Sequence, residues 1–236
     1  MRGCFSILLL GVVFVAGLTW FAGPLAAGFA VERALAANRF AGTATTVTVA
    51  ADPPLKLLLG HADSVLVRSE RASVGGLEVD RLSIRLTDVD LLNRRFAAVD
   101  GQLDGVALRA GDGSTVQADS IRLLGPSDKA TATVRIAGAV VDRLAREAIL
   151  RQLGLAASDI ALVAPDLIRF NVAGIPAEGR FEVDADGALY VSANFAGSPK
   201  LKIVEAGDPL DLSLAVVDGG DVVVVGTLDV ERLLLR

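Results

Sequence analysis

The chain has 236 residues, 52% hydrophobic but only 5% aromatic, so its core is built from Val, Leu, Ile and Ala, the usage of pleated sheets. Setting Arg2 aside leaves 22 basic against 28 acidic residues, which excludes the basic surface that nucleic acid draws on and weakens attachment to anionic headgroups by charge. Cys4 is the only cysteine and His61 the only histidine, so an intrachain disulfide, a CxxC metal site and a histidine metal cluster are all excluded.

From Gly3 to Val31 there is no charged residue, and Phe5 to Ala22 is long enough, at ~1.5 Å per residue, to cross most of a ~30 Å hydrocarbon layer. Arg2 precedes it, and the positive-inside tendency then leaves residue 1 in the cytoplasm and the remainder outside. Pro24 and the small residues Leu25 to Gly28 suit the end of a membrane helix and a signal-peptidase site alike. The expected organisation is a membrane anchor or uncleaved signal over 1–25 and one exported domain over 26–236; the alternative is secretion after cleavage. Ala26 to Asn38 has the spacing of a short amphipathic helix between the two.

Beyond Val47 the dominant pattern is period two. Val65/Val67, Leu82/Ile84/Leu86, Val106/Leu108, Val134/Ile136, Ile168/Phe170/Val172, Leu189/Val191/Ala193/Phe195 and Leu210/Leu212/Leu214/Val216 each fall on one face, as in half-buried antiparallel strands. Between Val79 and Leu82 the alternation changes phase, which predicts a bulge or short break near Asp80-Arg81. Gly75-Gly76, Gly111-Asp112-Gly113, Asp186-Gly187 and Asp218-Gly219-Gly220 mark turns, the last two as tight hairpins.

Two stretches break the strand texture. Asp52 to Ala62 opens with an Asp and two prolines and then sets Leu55, Leu58 and Leu59 at helical spacing before Gly60, predicting a short helix. Gly138 to Leu153 is the better helix. It has an apolar stripe of Val140, Val141, Leu144, Ala145, Ala148, Ile149 and Leu153, charged residues on the other side, and Gly154 as its stop.

Chemistry is harder to find. A Ser-His-Asp triad would have to use His61, whose ordinary role is that of a loop or helix-end residue. The many Asp residues sit at strand ends and turns, where local hydrogen bonding favours them. Asp184-Ala185-Asp186-Gly187 begins like a calcium loop but lacks the closing glutamate and reads as a turn. Phosphate loops, dinucleotide fingerprints and GxSxG elbows are absent from the sequence. The reading is a non-enzyme with no cofactor and no metal.

Leu57 to Val65 (LLLGHADSV), then Gly76-Leu77-Glu78-Val79 and Leu82 to Val89 (LSIRLTDV), resemble the LmeA-like phospholipid-binding family of actinobacterial-type bacterial envelopes, in order and texture over most of residues 26–236. The resemblance implies an exported protein that binds phospholipids and supports assembly of lipid-linked envelope glycans. The family's glycine and aspartate fall on Gly60 and Asp63, for which the expected roles are ending a helix and bonding nearby backbone. The expected fold is α+β: a curved, mainly antiparallel β-sheet with the amphipathic helix packed on it, preceded by an N-terminal transmembrane helix. The expected lipid site is an apolar cleft lined by Val140, Val141, Leu144, Ala148 and Ile149. Phospholipid is the expected partner, with the membrane reached through the N-terminal helix and any protein partner unknown; the alternative is a non-enzymatic envelope scaffold that binds a protein through a strand edge.

Overall fold

The computed structural model describes residues 40–74, 77–109, 115–185, 187–194, 200–204 and 210–231. The expected membrane segment, the helix over 26–38, Gly75-Gly76, Gly111 to Gly113, Asp186 and Phe195 lie outside the described residues. Among the described residues no helix is long and apolar enough to cross a membrane.

The fold is mostly antiparallel sheet, with one long helix. The first sheet has eight strands: β1 (Ala41–Ala50), β2 (His61–Val74), β3 (Leu77–Asp90), β4 (Arg95–Arg109), β5 (Thr115–Pro126), β6 (Ala130–Ile136), and then β13 (Asp221–Leu228) and β12 (Leu210–Asp218). β1 to β6 form a meander, and the C-terminal hairpin returns to pair with β6. Between β6 and β12 the chain makes an excursion: helix α1 (Gly138–Leu153), followed by a five-stranded sheet of β7 (Ala157–Val163), β8 (Leu167–Val172), β9 (Ile175–Val183), β10 (Leu189–Ala193) and β11 (Leu201–Val204). The helix packs chiefly against β7, β11 and β13. Arg146 ties it down, bonding Asp142 on its own face and donating to the Ala157 carbonyl at 2.8 Å. The two sheets and the helix share one hydrophobic core of Val, Leu, Ile and Ala, in which Phe96, Phe170 and Phe181 are the buried rings.

The predicted phase change in β3 is real, but the strand does not break there. Val79 and Leu82 are both buried, and Asp80 and Arg81 both face out. The neighbours do the same at the same level. Glu70/Arg71 in β2, Asp104/Gly105 in β4 and Asp119/Ser120 in β5 are adjacent non-core pairs, and the register between strands is conserved through them. Positive φ at Arg71 and Gly105 accommodates the extra residue. A second such line crosses Asp63/Ser64, Thr87/Asp88 and Ala97/Ala98, with Asp88 at positive φ. Two creases therefore run level across β2, β3 and β4.

One strand departs from the predicted alternation. A register shift between Leu212 and Leu214 turns Ala215 and Val217 into the core and puts Leu214 outside, 52% exposed, so Leu214 and Val216 do not share the face of Leu212. Gly226 makes this possible, because a Cβ there would lie 2.5 Å from the Asp211 carbonyl oxygen. The β12–β13 turn is the tight hairpin expected, with both Gly219 and Gly220 at positive φ. Arg135 clamps it by donating to Asp218 and Asp221 at 2.7 and 2.9 Å.

Candidate lipid-contacting end of the sheet

The stripe expected to line a cleft is built as read. α1 spans Gly138–Leu153 and stops at Gly154 in the left-handed conformation. Val141, Leu144, Ala148 and Ile149 are buried, Ile149 to 1% exposure, and Val140 is half-buried. Val141 and Ile149 belong to the common core, with Val140 packed against it, while Leu144 and Ala148 are buried outside that cluster. Hollows of about 280 and 550 Å³ flank the first crease on the first sheet, and α1 lines neither of the two. The smaller is walled by Arg68, Glu70, Arg81 and Asp104, the larger by Arg71, Glu78, Asp80 and Gln117. Their alternating charges suit a solvated sheet face.

Exposed apolar surface gathers elsewhere, at the end of the sheet where β1 passes to β2 and β3 to β4. After β1, Pro53 and Pro54 preset the backbone and the chain makes a 3₁₀ helix over Pro54–Leu59. Its leucines do not form the inward stripe of an α-helix: Leu55, Leu58 and Leu59 are 52%, 64% and 68% exposed, and Leu57 alone leans on the core. Gly60 ends the turn at φ 78°, its N–H donating to the Leu57 carbonyl. The β3–β4 turn lies beside it, with Leu92 75% exposed. Leu91 N–H donates to the Gly60 carbonyl at 2.7 Å, and Leu92 packs over Gly60, where a Cβ would meet it at 2.4 Å. Single exposed leucines are ordinary; four on two mutually bonded loops are not. We expect Gly60→Ala to cost about 1 kcal/mol through its left-handed backbone, and more if Leu92 cannot move aside, seen as a lower melting temperature.

Polar groups fasten both loops from below. Asp63 accepts the Lys56 ammonium at 2.7 Å on one oxygen and the Asp52 N–H at 2.5 Å on the other. Asp90 accepts the N–H groups of Leu92 and Asn93, each at 3.0 Å, and the Asn93 amide at 2.7 Å. The Lys56 hydrogen bond first, then the Asp52 amide, hold the Asp63 carboxyl below its ordinary range; Asn93, through backbone and then side chain, does the same for Asp90. Because the folded-state pKa is lowered, Asp63's restraint is complete at neutral pH and is lost only as the pH falls through that lowered value. Hydrogen-exchange protection of the Asp52 amide should fall in acid, and at neutral pH in Asp63→Ala.

The charges of the two loops balance. Lys56, Arg94 and Arg95 stand against Asp52, Asp63 and Asp90, so what this end offers a partner is apolar surface with a neutral rim. Each leucine still has about half its burial free energy to gain, roughly 1 kcal/mol, so four offer about 4 kcal/mol, or a thousandfold in affinity. Reading the sequence alone found the first loop and missed the second; the signal was Leu91-Leu92 in a turn bracketed by Asp90 and Asn93, where polar residues are the norm. Among the described residues no group of His, Cys, Asp or Glu is placed to hold a metal ion. Comparison with protein-family models, with curated proteins and with solved structures finds no match for this chain.

Proposed function

We propose that this chain is a membrane-tethered, extracytoplasmic phospholipid-binding protein that supports envelope assembly without catalysis, and that it meets lipid at the leucine end of its first sheet. The observation that carries the reading is the pairing of Leu55, Leu58, Leu59 and Leu92 in solvent on loops whose carboxylates are folded back to brace them. Such a construction keeps apolar side chains out of the core at a cost that contact with acyl chains repays. The uncharged run ahead of the domain and the resemblance to LmeA-like proteins point the same way. The buried stripe of α1 is assigned to packing against β7, β11 and β13 rather than to the lipid contact.

A fluorophore placed in the leucine end tests the proposal. In the full chain with Cys4→Ser, Leu59→Cys is labelled with NBD and the protein is reconstituted into phosphatidylcholine vesicles. The emission should be quenched by doxyl-labelled phosphatidylcholine. An emission that no doxyl lipid quenches, in whichever vesicles it is placed, removes the reading.

A further inference from the structure

We infer that Arg232-Leu233-Leu234-Leu235-Arg236, the residues that follow the last described one, form a third lipid-contacting element of the leucine end. The three leucines enter among the acyl chains and the two arginines stay at the headgroup phosphates. This rests on the reading of the leucine end as a lipid contact and adds residues to that site.

The first support is where the chain leaves the sheet. β13 runs antiparallel to β6, and its last residue, Leu228, stands opposite Ala130, the first of β6. The strand therefore ends beside the β5–β6 turn. That turn lies at the same end as the β3–β4 turn with Leu92, since Pro126, the last residue of β5, pairs with Ala98, three residues past the start of β4. Hydrogen bonds hold the exit there. The N–H groups of Val230 and Glu231 donate to the Ser127 carbonyl at 2.9 and 3.4 Å, and the Ser127 hydroxyl donates to the Glu231 carboxylate at 3.1 Å. Ser127 is in turn fixed to β4, its N–H donating to the Ala97 carbonyl at 3.1 Å.

Distances then confine the segment without any assumption about its conformation. Strands lie ~4.8 Å apart, so the β5–β6 turn is two spacings, about 10 Å, from the β3–β4 turn. Five residues carry a chain at most ~17 Å. β3, at fourteen residues of ~3.3 Å, is about 46 Å long, so residues 232–236 stay within the half of the sheet's length that holds the leucine loops.

The second support is composition. The sequence has three runs of three leucines: 8–10 in the N-terminal apolar run, 57–59 on the first loop of the leucine end, and 233–235. The last two converge on one end of the fold from distant parts of the chain. That end is open to a partner, with Leu58, Leu59 and Leu92 64–75% exposed. Neutrality is kept as well, because Asp128, Asp229 and Glu231 stand against Lys129, Arg232 and Arg236, the same balance as on the two loops. An arginine on either side of a leucine run suits the bilayer interface: the stem lies along apolar surface while the guanidinium reaches phosphate.

The experiment uses the full chain with Cys4→Ser in phosphatidylcholine vesicles, carrying NBD at Leu234→Cys, at Leu59→Cys or at Thr115→Cys, an exposed position at the opposite end of the sheet. We expect doxyl-labelled phosphatidylcholine to quench the first two to a similar degree and to leave Thr115→Cys untouched. Leu233→Ser, Leu234→Ser and Leu235→Ser together should lower the ratio of docked to undocked protein, read from the quenched fraction of Leu59→Cys, by about tenfold or more, with the melting temperature unchanged. A Leu234→Cys label that doxyl lipid leaves alone while Leu59→Cys is quenched overturns this inference and leaves the lipid contact standing, even if its emission is blue-shifted by packing on the domain. So does a triple serine variant whose Leu59→Cys label is quenched as before. Quenching of Thr115→Cys as strong as that of Leu234→Cys overturns the assignment to this end, and no quenching at any position overturns both readings.

Discussion

Replacing Leu144 by aspartate is expected to unfold the domain. Leu144 is a buried residue of α1, in the helix that sends Val141, Ala145 and Ile149 into the common core. The substitution removes a buried leucine, itself about 2–5 kcal/mol, and sets a carboxyl group where no described partner waits for it. Together these reach or exceed the ~5–15 kcal/mol that holds a domain of this size. Circular dichroism should show loss of the sheet signal at room temperature or a much lowered transition. Leu144→Ala, which keeps the site apolar, should melt cooperatively, some 2–5 kcal/mol less stable. A well-folded Leu144→Asp protein would instead mean that the helix face has water or lipid against it, and would return the stripe to the cleft first expected from the sequence.

The same exchange in the leucine end should do the reverse. Leu58→Asp with Leu59→Asp replaces two side chains that are about two-thirds exposed, so the melting temperature should hardly move. Lipid contact should be lost: roughly 2 kcal/mol of insertion disappears, and two carboxylates must be desolvated if the end is to enter the bilayer, which together weaken docking by well over a hundredfold. An NBD label at Leu92→Cys, on the partner loop, reads this out without disturbing the substituted residues. Emission that is still quenched by doxyl lipid in the double variant would mean that Leu92 and its neighbours, not the 3₁₀ helix, make the contact.

Much of the architecture was legible because it follows from local rules. The helix over Gly138–Leu153 has a stripe and a charged face within sixteen residues and a glycine stop directly after them, and the structure keeps the same bounds. The hairpin at Gly219-Gly220 follows from the positive φ that both positions need. What escaped depended on which strand lies beside which. The phase change at Asp80-Arg81 is visible in β3 alone, but that β2, β4 and β5 repeat it at the same level is a property of register. The flip after Leu212 depends on a glycine fourteen residues away. At the leucine end, the helical spacing of Leu55, Leu58 and Leu59 before Gly60 predicted a short helix and said nothing of where its leucines face. The tighter 3₁₀ turn, imposed by two prolines and Gly60, points them to solvent, and the neighbour that makes them a patch arrives from the β3–β4 turn, thirty-three residues beyond Leu59.

The creases carry a consequence for how such a chain can vary over evolutionary time. In β2, β3 and β4 the doubled non-core positions stand seven residues apart, at 63/64 and 70/71, 80/81 and 87/88, and 97/98 and 104/105. Deleting one residue between the lines in a single strand would leave its creases out of step with both neighbours and turn every side chain beyond the deletion to the wrong face. Only a matched deletion in all three strands would restore the fit, an event of vanishing frequency. Substitution is therefore free to explore this sheet, while changes of length are confined to the connections between strands, and the interval of seven should outlast most of the amino acids that occupy it.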